Sequence, residues 1–370
     1  MNPSSPSISP LRATALLSLA ALVAAVLGLL LLELVFGSWL RHNPWERALA
    51  LNIVTDRRMV FDATGLYPGG GPVNYSRDRY GLRGSFGTPA EVTVLSIGGS
   101  TTDQRYIADG QTWQDVLQAS LRAAGRPATV ANAGVDGHST FAHLAAYRDW
   151  LPLIPGLRPR YTLLYVGLND LFLMRPRLDF EGGTQGQATL KSRIKANSAL
   201  FRLYAMARGA WAASRLGLDH RPMDFSAQRY TEQGLIANPQ ALARDSMAAF
   251  AKRMADLLAL VRAQGSTPVC VTQPSLYYRV AATGQVQGLD MRILFPSIEM
   301  PALNGVDYQR LRQLQDVAMA QVCAAAGAGF IDLARLPWDA ADFYDPVHNS
   351  PQGAKKVGMR IAAGLLALPP

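Results

Sequence analysis

The sequence predicts an α/β protein: a three-layer α/β/α sandwich around a five-stranded parallel sheet, preceded by one membrane-spanning helix. Three observations predict it. Short runs that are apolar at nearly every position alternate with longer helical segments from residue 92 to the C-terminus. Apolar residues make up 49% of the 370 residues, enough for one large core. Residues 13–36 form an almost unbroken apolar run ahead of all of this.

That run, ATALLSLAALVAAVLGLLLLELVF, comes first in the chain. As a helix it is about 36 Å long and crosses a hydrocarbon layer of about 30 Å with some tilt. Glu33 lies near its end, and Trp39 and Trp45 follow as interfacial aromatics. A cleaved signal peptide has a shorter apolar core and a small-residue cleavage site. The sequence Leu34-Val35-Phe36-Gly37-Ser38-Trp39 is a poor site, so an uncleaved anchor is expected after a tail of residues 1–12. Residues 37–88, with YPGGGP and NYSRDRYGLRG, are expected to be a juxtamembrane connector.

The domain proper is expected over residues 89–370. Its strands are Val92–Ile97, Ala128–Ala133, Tyr161–Val166, Thr267–Thr272 and Gly329–Leu333. Its helices are Thr112–Ala124, His138–Trp150, Pro239–Gln264, Tyr308–Ala325 and Pro351–Leu368. Strands apolar on both faces need helices on both faces, so the sheet is parallel and flavodoxin-like. In such sheets the site lies at the C-terminal strand ends. Two insertions interrupt the alternation, at residues 171–236 and 274–305. The first contains a basic stretch, 191–221, with apolar residues at helical spacing. It reads either as a solvated face over a small core or as an amphipathic element resting on anionic lipid.

The net charge is +9, without a long Lys/Arg run or a basic-aromatic repeat, so no nucleic-acid partner is expected. Cys270 and Cys323 form no CxxC pair. They are expected to be buried free thiols, with a disulfide open to them if the domain is exported.

Four stretches gather chemistry at the strand ends. VLSIGGSTTDQ ends the first strand with two glycines before Ser100. It lacks the lysine of a phosphate loop and the spaced glycines of a dinucleotide fingerprint. A tight turn carrying a serine nucleophile fits it, as does an ordinary turn serine. In NAGVDGHST, Gly137 can present its N–H to an anion; His138 and His143 read as structural. In YVGLND, Asn169 offers a side-chain amide or a helix cap. In FYDPVHNSPQG, Asp345 and His348 are spaced so that the carboxylate can hold the imidazole by Nδ1 and leave Nε2 as a base. No third and fourth ligand accompanies this pair, so no metal is expected, and no cofactor.

In chain order these blocks resemble the SGNH (GDSL-like) hydrolases over roughly residues 89–370, insertions aside. The resemblance implies a Ser-His-Asp esterase with Ser100 as nucleophile, His348 as base and Asp345 as its orienting acid. It implies an oxyanion hole from the N–H groups of Ser100 and Gly137 and the amide of Asn169. Gly99 stands where the family's GDSL block has Asp, which is not a triad position. The expected function is a membrane-anchored serine esterase that removes small acyl groups, acetyl among them, from a polysaccharide, glycan or lipid ester. The alternatives are an O-acyltransferase on an envelope polysaccharide and a non-catalytic accessory protein of this fold. The arginines after the apolar run, Arg41, Arg47, Arg57 and Arg58, favour a cytoplasmic domain. Anchored relatives are displayed on the exported side, and the resemblance takes precedence, so a periplasmic domain is expected.

Overall fold

The computed structural model describes residues 10–37, 51–175, 220–293 and 302–368, with positions 39, 45, 48, 194, 197–201, 203–204 and 207–208. The chain forms two units. One comprises Met1–Glu46 with Thr184–Leu218, the other Arg47–Gly183 with Asp219–Pro370. Most of the basic stretch 191–221 lies outside the described residues.

In the first unit, helix α1 spans Pro10–Phe36. Its segment Thr14–Phe36 is long and apolar enough to cross a membrane, and none of it is buried within the protein. A signal sequence shares those two properties.

The second unit begins with a hairpin, β1 (Arg57–Asp62) antiparallel to β2 (Pro72–Arg77). The main elements follow in order: β3 (Val94–Gly98), the one-turn helix α2 (Ser100–Asp103), α3 (Trp113–Ala123), β4 (Val130–Asn132), α4 (Thr140–Asp149) and β5 (Tyr161–Tyr165). After the first insertion come β6 (Tyr230–Thr231), α5 (Pro239–Ala263), β7 (Thr267–Val271), β8 (Tyr278–Val280) and β9 (Val286–Leu289). Helix α6 (Gly305–Ala325), β10 (Gly329–Ile331) and α7 (Pro351–Ala367) close the chain.

Five strands form one parallel sheet in the order β10-β7-β5-β3-β4. This is the three-layer sandwich that the apolar strands require. Residues Val94, Tyr161, Leu163, Val269 and Val271 pack beneath Trp113 and Leu117 of α3 and Val357 and Ile361 of α7. Helices α4, α5 and α6 pack in sequence on one another. Alternate strand residues turn to that side: Thr162 of β5 reaches Tyr147 of α4, and Cys270 of β7 reaches Cys323 of α6. All five expected strands and all five expected helices are present, with ends moved by at most three residues. The largest shift is α6, which starts at Gly305 rather than Tyr308. Asn304 accepts from the N–H groups of Val306 and Asp307, and the Asp307 carboxylate accepts from Asn304 N–H. This capping box extends the helix by a turn.

Two differences need physical reasons. Cys270 and Cys323 are not free thiols but a disulfide. Both are fully buried, and strand alternation turns Cys270 toward the helix that carries Cys323. The second is a three-stranded antiparallel sheet, β6-β9-β8, built from both insertions. Its strands span only two to four residues, so their periodicity is too short to read.

Candidate active site

The turn after β3 is shaped by close approach. A Cβ on Gly98 would lie 2.0 Å from Thr102 Oγ1 and 2.5 Å from the Tyr165 carbonyl. A Cβ on Gly99 would lie 2.6 Å from Asn169 Nδ2. The two glycines therefore let the chain fold back at once and let the Asn169 amide press against the backbone beside Ser100. Thr102 and Asp103 N–H both donate to Gly99 O, and Gln104, in the left-handed region, closes the turn with its N–H on Ser100 O.

The turn is gripped from beneath. Asp103 is 2% exposed and pairs with the buried guanidinium of Arg77, while Tyr75 OH donates to the same carboxylate at 2.8 Å. Arg77 also donates to the carbonyls of Gly81 and Gly134. Arg83 donates to the carbonyls of Asp103, Gln104 and Ile107. Asn132 and Gln114 side chains donate to Thr102 O, and Trp113 Nε1 donates to Thr101 O. Burial works to raise the Asp103 pKa, but Arg77, Arg105 and Arg83 outweigh it and hold the carboxyl below its usual range.

Asn169 sits in a short 3-10 turn after β5 and donates from Nδ2 to His138 O at 2.9 Å. Its neighbour Asp170 is buried, accepting from the Thr140 hydroxyl and backbone N–H and pairing with Arg253. That fixes the strand end from which Asn169 projects. Gly137 has φ +79°, a left-handed conformation that suits glycine, in the turn after β4. His138 and His143 are buried behind this turn, His138 with its Nε2 2.7 Å from Leu51 O. Burial lowers the His138 pKa to about 4 and holds His143 well below the ordinary imidazole value, so both are neutral structural groups near neutral pH.

The last loop supplies the third part. Asp345 Oδ1 accepts from the N–H groups of Val347 and His348, and Asp345 Oδ2 lies 2.7 Å from His348 Nδ1. His348 Nε2 lies 2.8 Å from Ser100 Oγ. Burial lowers the His348 pKa, but the Asp345 charge and hydrogen bond more than compensate, so the net shift is upward. Burial raises Asp345, and the His348 partnership outweighs it, so its net shift is downward. Ser100, Asp345 and His348 thus meet in one hydrogen-bonded line, with Asn169 against the Ser100 turn.

Several residues of this site were not singled out from sequence. His220, near the end of the first insertion, packs its ring on His348 at 4.1 Å between centroids. Its Nδ1 lies 2.6 Å from Tyr344 OH, and the Tyr344 ring stacks on His348 with a 9° interplanar angle. Nothing in the local sequence around Asp219-His220-Arg221 marks this role. Donor atoms of His220, Asp345 and His348 lie within 4.8 Å of one another. A metal there would compete with the His348–Asp345 and His348–Ser100 hydrogen bonds. The Arg77–Asp103 pair also went unread, because Arg77 lies in the polar stretch expected to be connector.

The GDSL-like lipase/acylhydrolase family model matches residues 96–356, and the chain belongs to that family. The fold is the SGNH fold, and the protein is a hydrolase of ester bonds. A search of curated proteins finds no match. Among solved structures, an acetyl xylan esterase is similar at 12% identity and TM-score 0.39, covering 74% of this chain and 98% of its own. A catalytic mutant of an acetylxylan esterase from Geobacillus stearothermophilus is similar at 12% identity and TM-score 0.40, over 76% of this chain and 94% of its own. An alpha/beta hydrolase enzyme from the metagenome of Lake Arreo, Spain, is similar at 14% identity and TM-score 0.40, over 77% and 99%.

Proposed function

We propose that this chain is a membrane-anchored serine esterase that cleaves small acyl esters, acetyl among them, on a glycan, polysaccharide or lipid through an acyl-enzyme. The observation that carries the proposal is the continuous line from Ser100 Oγ through the His348 ring to Asp345. In this reading His348 Nε2 takes the Ser100 proton as Oγ attacks the ester carbonyl. Asp345 holds the imidazole by Nδ1 and stabilises the imidazolium that forms. The oxyanion of the tetrahedral intermediate is held by the Ser100 and Gly137 N–H groups and the Asn169 amide, each such donor being worth about 10²–10³ in rate. His348 then returns the proton to the leaving alcohol. Water, activated by the same imidazole, hydrolyses the acyl-enzyme and frees the carboxylic acid.

One observation supports the exported location and another supports the anchor. A buried disulfide joins β7 to α6, and disulfides persist in oxidising compartments. The apolar stretch Thr14–Phe36 supports a single span that tethers the domain.

The test is a series of aryl esters of increasing acyl length, run beside acetylated glycans, with a fluorophosphonate probe on the intact chain. Turnover should be highest for acetyl and fall with chain length. The probe should label Ser100 alone and label nothing in Ser100→Ala. Labelling that survives the substitution would remove Ser100 from the reaction.

A further inference from the structure

Glu33 is the one charged residue within Thr14–Phe36, three residues from the end of α1. A carboxylate in an apolar helix is costly unless it reaches the interface or finds donors. It finds four. Glu33 Oε1 accepts from the Ser198 hydroxyl at 2.5 Å and Leu200 N–H at 2.9 Å. Glu33 Oε2 accepts from Ala199 N–H at 3.1 Å and Trp39 Nε1 at 2.9 Å. Ser198 Oγ in turn accepts from Phe201 N–H, and Ser198 is buried. A turn about 165 residues downstream in sequence is thereby fastened to the end of the apolar helix.

Large apolar side chains close in sequence to these partners are exposed. Phe36 is 64% exposed, Trp39 44%, Leu203 64%, Tyr204 58% and Ile194 42%. Helix α1 leaves its own surface uncovered as well. Exposed apolar side chains on the two segments that Glu33 joins, a tryptophan and a tyrosine among them, suit the boundary between acyl chains and headgroups.

We infer that Ile194, Ser198, Ala199, Leu200, Phe201, Leu203 and Tyr204 belong to a second membrane contact, which Glu33 holds at the bilayer surface. The partner is the lipid interface itself. The inference rests on α1 being a retained span, and it adds a reason for retention: cleavage after α1 would remove the carboxylate that the 198–201 turn needs. The cost of Glu33 in the helix is thus offset by donors from the element it positions.

The full-length protein in lipid vesicles tests this. Its two cysteines are paired, so a single introduced cysteine can be labelled. A nitrobenzoxadiazole probe goes at Leu203→Cys, with a second at Leu27→Cys as a span control. Nitroxide lipids labelled near the headgroup should quench position 203, and lipids labelled deep in the chains should quench position 27. Adding Glu33→Ala should cut the shallow quenching at 203 by at least about threefold while leaving position 27 quenched. Hydrolysis of a soluble aryl ester reports that each variant is folded. Quenching at 27 without quenching at 203 would overturn the interfacial element and leave the anchor standing. Unchanged quenching at 203 in Glu33→Ala would overturn the role of Glu33. Loss of quenching at both positions in wild type would overturn the anchor and this inference together.

Discussion

The turn that carries Ser100 and the loop that carries His348 meet at one hydrogen bond but are built by different means. The Ser100 turn is held by distant groups: Arg77 and Tyr75 on β2, Arg83 beyond it, Asn132 on β4, and Trp113 and Gln114 on α3. The His348 ring is oriented locally, by Asp345, which also accepts from Val347 and His348 N–H within three residues, while Leu276 N–H on Pro346 O and Met223 N–H on Tyr344 O tie the loop to the rest of the domain. The nucleophile's position is thus a property of the fold, and the base's orientation a property of one short segment. Damage to the first should appear as lost stability, damage to the second as altered chemistry in a stable protein.

Asp345→Asn should give the largest effect on rate. The charge that holds His348 above its ordinary pKa disappears, and the imidazole loses the partner that fixes its tautomer. A fall in kcat on the order of 10⁴ is expected, as in serine enzymes where this acid is removed. The sign of the pH shift follows: catalysis needs neutral His348, burial then dominates, and the acidic limb of kcat/KM moves to lower pH. Stability by denaturant should change little by comparison. An unmoved acidic limb would break the assignment of His348 as base.

Arg77→Ala tests the other side. Removing one partner of a pair whose side chains are both 3% exposed leaves Asp103 buried beside fewer cations. The expected loss is about 3–5 kcal/mol of unfolding free energy. Asp103 has a folded pKa below its unfolded value, so its stabilising contribution is present above the unfolded value of about 3.9 and lost as pH falls through the folded pKa. In Arg77→Ala that pKa rises, and acid unfolding should begin at a higher pH. An Arg77→Ala protein with an unchanged denaturant midpoint would mean the distant grip is dispensable.

The same contrast explains what was legible. Strands β3, β5 and β7 are buried and apolar throughout, apart from single polar or small positions, so the parallel sheet could be read without the structure. Asp345 and His348 act within a four-residue window, and Ser100 follows its two glycines directly, so each left a local signature. Arg77 and Asp103 are 26 residues apart; Arg77 continues the buried alternation of Val73 and Tyr75 along β2, but a charged side chain at that position does not name its partner. The Cys270–Cys323 bond spans 53 residues and depends on which face of β7 meets α6. A pairing that exists only through tertiary packing leaves no period or spacing to detect.

His220 gives the smallest expected effect and the sharpest use of the comparison, because it is a distant residue acting on the locally built loop. Burial and the neighbouring His348 push its pKa down to about 3, so it is neutral at working pH and is not a second charged partner. It meets His348 as an uncharged ring at 4.1 Å and is tied to Tyr344 OH. Its effect is to keep water from one face of the imidazole, which disfavours the imidazolium. His220→Ala admits water, so the His348 pKa should rise and the acidic limb of kcat/KM should move to higher pH, by up to about one unit. That direction is opposite to Asp345→Asn. His220→Phe keeps a ring over His348 and loses only the bond to Tyr344, so it should restore the wild-type limb. The pH profile of these two variants on a soluble aryl ester separates the roles. If His220→Phe is as impaired as His220→Ala, the hydrogen bond to Tyr344 orients the base and the shielding account fails.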